Sequence, residues 1–142
     1  MLRSCTSGVL AVHGDGGYPY AVPLSYAYDD GRLFFHCAAA GHKLDAIARS
    51  DKVSFCVIAA DEVVPSTFTT HFRSAVVFGR ARVLTDDAQR RHALECLAKK
   101  YSPCLLYTSD AADDLLCVDL GGRRIIKKKK TIKIDSTTND TN

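Results

Sequence analysis

Apolar and polar positions alternate along most of this chain, and only two stretches show helical spacing. Gly8–His13 (GVLAVH) is a short, mostly apolar run closed by Gly14-Asp15-Gly16-Gly17, a strong turn signal. Tyr18–Tyr28 reads as a second strand, rich in aromatic and β-branched side chains. Pro19 and Pro23 remove two backbone donors from it, which confines it to an edge or a bulge and leaves part of its ladder open. A tight turn at Asp29-Asp30-Gly31 leads into a third strand, Arg32–Cys37. The polar loop that follows ends in Gly41-His42-Lys43 and opens a short helix over Leu44–Arg49, with Leu44, Ile47 and Ala48 on one face. Lys52–Ala59 alternates again, Asp61–Thr67 with Pro65 reads as a loop, and Phe72–Leu84 suits a long strand bent at Gly79. Thr85 is placed to cap a last helix, with Asp86 and Asp87 at its positive end and Leu94, Leu97 and Ala98 facing inward. This order predicts a mainly β fold with flanking helices (α+β), a small barrel whose ends the helices plug.

The loop at His42-Lys43 carries the clearest chemistry. A helix start offers free backbone N–H groups, and here it also offers positive side chains, which together make an anion site. The helix dipole disfavours a lysine at this end unless an anion compensates, so Lys43 is expected to contact a phosphate, with His42 beside it. The plainer readings are an exposed Lys43 and a solvated His42. The open ladder of the second strand would let backbone groups reach the same ligand.

The far end of the chain changes the reading of composition. Residues 104–113 (CLLYTSDAAD) and 118–126 (VDLGGRRII), followed by four lysines, resemble the in-frame translation of a transposase-type sequencing adapter with a poly-A trailer. On that reading the natural chain stops near Pro103. Residues 1–103 then form one domain, incomplete at its C-terminus, and residues 104–142 are a non-native, disordered tail. Within that tail Thr131–Asp135 alternates like a strand and is able to occupy an open sheet edge. The whole chain carries a net charge of +3, but residues 1–103 hold twelve Lys and Arg against ten Asp and Glu, an ordinary balance. The lysine run is therefore discounted as a nucleic-acid or membrane signal. No run of about eighteen apolar residues and no leader pattern is present, so a cytoplasmic protein is expected. About a hundred residues bury only a marginal core, so a dimer interface would help. Cys5, Cys37, Cys56 and Cys96 fit neither a paired metal motif nor a disulfide framework and read as reduced small hydrophobes.

Four segments carry a family resemblance: GVLAVHGDGGYPYAVPLSYAY, LFFHCAAAGHKLDAI, VSFCV and FRSAVVFGRARVL. Together they resemble the pyridoxamine 5′-phosphate oxidase-like proteins with an FMN-binding split barrel, closest to the nitroimidazole-resistance branch. The resemblance covers nearly all of residues 7–103. It implies that Tyr20, Ala21, Val22, Pro23, Leu24 and Ser25 lie along the flavin, largely through backbone groups. It places His36 and Cys37 at a strand end beside the cofactor, and His42 and Lys43 on the FMN phosphate. Arg73 and Ser74 would approach a flavin from the neighbouring strand or from the partner subunit. His36 is the weak candidate for direct catalysis, with packing at a strand end as its plainer role. His13 and His92 carry no assignment, and His71 is placed near an interface. The implied protein is a homodimeric FMN oxidoreductase acting on a small electrophile such as a nitro compound. True pyridoxamine phosphate oxidation fits less well, because that branch has a basic residue where this chain has Tyr20 and an Arg-rich C-terminal segment missing here. The alternatives are a flavin or haem binder without turnover, and a reductase using a deazaflavin.

Overall fold

Backbone pairing gathers the alternating runs into one antiparallel sheet. The computed structural model describes residues 1–102, 114–119, 125–128 and 131–133. It contains β1 (Ser7–His13), β2 (Pro19–Ser25), β3 (Ala27–Asp29), β4 (Arg32–Cys37), α1 (His42–Arg49), β5 (Lys52–Val64), β6 (Thr69–Val83) and α2 (Asp87–Tyr101). Beyond these lie β7 (Asp114–Asp119), β8 (Ile125–Lys128) and β9 (Thr131–Lys133). The strands run in the order β2-β1-β5-β6-β7-β4-β3, with β8 and β9 also on β6. β2 comes back against β4, so the sheet wraps on itself as a split barrel. No helix among the described residues is long and apolar enough to cross a membrane.

The prolines place β2 as expected. It pairs only with β1, Pro23 opposite Val9 and Pro19 opposite His13, which leaves its outer ladder open among the described residues. The expected single strand over Tyr18–Tyr28 is two strands. At Tyr26 the chain leaves β1 and joins β4, with Ala27 opposite Phe34 and Asp29 opposite Arg32. Asp30 (φ 39°) and Gly31 (φ 78°) form the connecting turn, both in the positive-φ region that a two-residue hairpin of this hand requires.

The main core forms between the sheet faces around Leu10, Tyr26, Leu33, Phe35, Phe55 and Val57, all fully buried. Phe55 meets Tyr26 and Phe35 edge-on, with ring centroids 5.0 and 5.1 Å apart. Gly8 makes room for this ring, since a Cβ there would lie 2.5 Å from it. Helix α1 turns Ala46 and Ile47 into this core, and Leu44 packs against it. Ala48, expected inward, is exposed. Helix α2 buries Ala93 and Leu97 in a smaller cluster with Ala27, Phe34 and Leu84.

Four further expectations are corrected. The cap of α2 is Asp86, whose side chain accepts from the Gln89 N–H at 2.9 Å, three residues on as cap geometry requires. Thr85 stands one residue too early. Asp61–Val64 continue β5 instead of forming a loop, because backbone pairing with Thr69–Phe72 extends the ladder even where side chains face solvent. Only Pro65–Thr67 turn. The irregularity in this hairpin lies between Ile58 and Ala60, while Gly79 stays paired with Val53.

The fourth correction concerns the expected structureless tail. Asp114–Asp119 fills the gap between β4 and β6, Leu116 lying opposite both Phe35 and Val83. Ile125–Lys128 and Thr131–Lys133 pair with β6, the latter being the alternating segment marked as edge-compatible. Ladder bonds depend on backbone and not on side-chain identity, so two open strand edges accept any extended segment within reach. The rest of that segment, including the boundary at Pro103, lies outside the described residues.

Candidate functional site

The Gly-rich turn after β1 folds over the start of α1. Gly14 donates to the Tyr18 carbonyl at 2.9 Å and Tyr18 to that of Asp15 at 3.2 Å, which closes a single 3-10 turn over Asp15–Gly17. Gly16 and Gly17 supply its positive φ values of 63° and 80°. The turn, the first residues of β2 and one face of α1 enclose an open cleft of about 190 Å³. Tyr18, Tyr20, His42, Arg49 and Asp15 line it.

Charge in the cleft is organised around Asp15. Its carboxylate accepts from Arg49 Nη2 at 2.5 Å and lies 3.6 Å from His42 Nδ1. Arg49 thus offsets Asp15, the acid that lines the cleft, while a second acid, Asp45, lies in the same first turn of α1 as His42 and Lys43. Gly41 precedes the helix at φ 138°, and space for a Cβ there is open, with nothing within 4 Å. Its carbonyl accepts from Leu44 at 2.9 Å and Asp45 at 3.2 Å, so the N–H groups of His42 and Lys43 precede the first helical bonds. Free N–H groups, the helix dipole and the His42 side chain therefore meet at one corner of the cleft, while Lys43 is half-buried and does not line it.

Along β2, Ala21, Pro23 and Ser25 are exposed while Val22 and Leu24 are half-buried. This strand leads away from the cleft with its outer edge open among the described residues. Tyr20 and His42, both placed on the flavin by the family resemblance, meet in the cleft. His36 is exposed on β4, opposite Leu115 of β7, and Cys37 is buried in the main core. Neither lines the cleft. Arg73 and Ser74 lie apart from it as well. Ser74 pairs with Ile58 and Arg73 with Ala60, in a row continuing from Ser7 and Ser25 at the opposite end of β2 from Tyr20. Five residues of strand and three strand spacings separate them from Tyr20, roughly 16 Å by 14 Å at the usual rise and spacing.

Sequence reasoning missed Asp15 and Arg49. Arg49 was legible in principle, since it follows His42 by seven residues, two helical turns, and so shares its face. Asp15 was hidden by its place in a turn, where an aspartate has a sufficient local role.

A family model described as pyridoxamine 5′-phosphate oxidase matches residues 1–120. No curated protein matches. Among solved structures, an FAD-binding protein from Mesorhizobium loti is 30% identical, with a TM-score of 0.59 and 82% of each chain covered. A candidate 5-nitroimidazole antibiotic resistance protein from Bacteroides thetaiotaomicron is 22% identical, with a TM-score of 0.70 over 82% of this chain and 73% of that one. An FAD and heme binding protein from Mycobacterium smegmatis is 24% identical, with a TM-score of 0.70 over 84% of this chain and 63% of that one.

Proposed function

The chain belongs to the pyridoxamine 5′-phosphate oxidase family, and from that premise we propose that it is a flavin-dependent oxidoreductase that binds FMN between two copies of itself and reduces a small electrophile. The observation that carries the reading is the corner itself: His42, in the first turn of α1, lines a cleft with Tyr20, at the head of a strand edge that is open among the described residues. A phosphate suits the corner, and an extended ribityl chain and ring suit the β2 edge. When bound, FMN supplies the redox chemistry, accepting two electrons from a reductant and delivering them to the substrate.

The residues of this chain bind and orient. Lys43, His42 and the N–H groups of α1 hold the phosphate, and Arg49 keeps Asp15 from opposing it. The exposed Ala21, Pro23 and Ser25 present backbone groups and small side chains along which a flat ring can lie. Arg73 and Ser74 are too far from the cleft to touch the same phosphate, so their contact with flavin is made to a ligand held by the partner. Their surroundings support such a meeting. The outer half of the β5–β6 hairpin exposes Val63 (68%) and Phe68 (80%), with Ile58 and Phe72 nearby on the same hairpin. Burying these against a second copy would remove a large apolar surface from water.

The test is an anaerobic redox cycle. Protein with bound FMN is bleached by dithionite and then mixed with a nitroimidazole; prompt return of the oxidised flavin spectrum supports reductase activity. The similarity to the FAD and heme binding protein favours a second reading, a carrier that holds flavin or haem without turnover. Under that reading the flavin bleaches but is not reoxidised by the nitro compound.

A further inference from the structure

Three ligand atoms of different chemistry converge where β3 meets α2, and none belongs to the cleft at His42. The two-residue turn at Asp30-Gly31 fixes Asp29 at the last pair of its hairpin, opposite Arg32. Helix α2 presents His92 and Cys96 four residues apart, on one face. His92 Nε2 lies 3.1 Å from Asp29 Oδ2, and Cys96 Sγ lies 3.6 Å from His92 Nε2. The three ligand atoms all fall within 4.8 Å of one another. The Phe34 ring meets His92 edge-on at 5.5 Å and holds the imidazole from the core side. Arg3 approaches the other carboxylate oxygen, Oδ1, at 3.9 Å, so Oδ2 remains directed at the cluster.

We propose that Asp29, His92 and Cys96 form a binding site for a borderline divalent metal of the zinc class, with water in the fourth position. A tetrahedral zinc with one sulfur and two lighter donors has ligand-to-ligand edges of roughly 3.3–3.6 Å, from bonds of about 2.3 Å and 2.0–2.1 Å. Two of the three edges are near that length already, and the third closes by a small side-chain movement. A thiolate, an imidazole and a carboxylate select zinc or cobalt over magnesium or calcium, which prefer all-oxygen shells. An open hollow of about 320 Å³ lined by Asp87, Arg91, His92 and Glu95 gives access from solvent. An ion pair between Asp29 and His92 would account for two of these groups but gives the thiol no part. Bound metal would staple the β3–β4 hairpin to α2.

The full chain, stripped with a chelator and returned to metal-free buffer, is titrated with zinc chloride by calorimetry. One equivalent should bind, and zinc should raise the melting temperature by mass action. Cys96→Ser and His92→Ala should each weaken binding by about a hundredfold, at least as much as losing an outer-sphere partner does. Their circular dichroism without metal should match the parent. A second measurement needs no variant: zinc should slow alkylation of Cys96, read by peptide mass spectrometry. No uptake by the folded parent would overturn the site, and so would unchanged affinity in Cys96→Ser or an unprotected Cys96 under saturating zinc.

Discussion

The hydroxyl of Tyr101 bridges the backbone of Tyr26, accepting from its N–H at 2.9 Å and donating to its carbonyl at 2.6 Å. The same oxygen touches the Thr6 carbonyl, and Lys100 Nζ donates to the carbonyls of Cys5 at 2.6 Å and Tyr26 at 2.8 Å. Tyr26 is where the chain leaves β1 for β4, so its backbone groups lack a regular ladder partner there. The last turn of α2 supplies one.

Tyr101→Phe should therefore destabilise the fold by about 1–3 kcal/mol, the cost of leaving the part-buried Tyr26 N–H without its partner, since Lys100 still serves the carbonyl. Tyr26→Phe should be neutral or stabilising. The Tyr26 side chain is fully buried, and its hydroxyl has no hydrogen-bond partner among the described residues. Urea denaturation of the two variants checks this, and equal losses would contradict it.

Burial pushes the phenol of Tyr26 well above the ordinary tyrosine value, with Cys5 and Tyr101 adding to the effect. A raised folded value means that this stabilisation is complete below about pH 10, where unfolded tyrosine titrates, and is lost as pH rises toward the folded value. Burial raises Tyr101 in the same direction, while burial lowers Lys100, whose contribution has the opposite sign. The difference between parent and Tyr26→Phe isolates the first. The parent should lose stability relative to the variant between about pH 10 and 12, followed by thermal melts, and parallel curves would count against it.

Lys43→Ala should weaken FMN binding about tenfold to a hundredfold, as expected for loss of a charge-assisted hydrogen bond of about 1.5–3 kcal/mol. Riboflavin, which lacks the phosphate, should bind the variant and the parent alike. Equal weakening of both ligands would place Lys43 away from the phosphate.

Much of this was legible because local rules decide it. Pro19 and Pro23 marked the edge strand and Asp30-Gly31 the hairpin, each through backbone chemistry confined to a few residues. The break at Tyr26 was not legible, since the side chain that satisfies its backbone, Tyr101, lies 75 residues away. The length of the β5–β6 hairpin was hidden by polar residues that pair through backbone alone. His92 was left without a role because its partners, Asp29 and Cys96, meet it only once β3 and α2 are packed.

Removing residues 104–142 should leave the ladders of β4 and β6 unpaired where β7 joins them. The shortened protein should aggregate more readily, measured by light scattering on warming. Unchanged scattering and an unchanged melting temperature would show that the barrel does not depend on that strand.

Flavin held between two copies must strengthen their association by the factor by which association strengthens its binding. Dilute protein should move from monomer to dimer in analytical ultracentrifugation as FMN is added. A monomer that binds FMN tightly would remove the partner's Arg73 and Ser74 from the site.

The most direct test of the flavin-binding claim is a fluorescence titration of FMN with the purified full chain. The account predicts a saturable change at one FMN per chain, with riboflavin binding more weakly because the corner at His42 and Lys43 has no phosphate to hold. Folded protein that leaves FMN fluorescence unchanged, or that binds riboflavin as tightly as FMN, would contradict it.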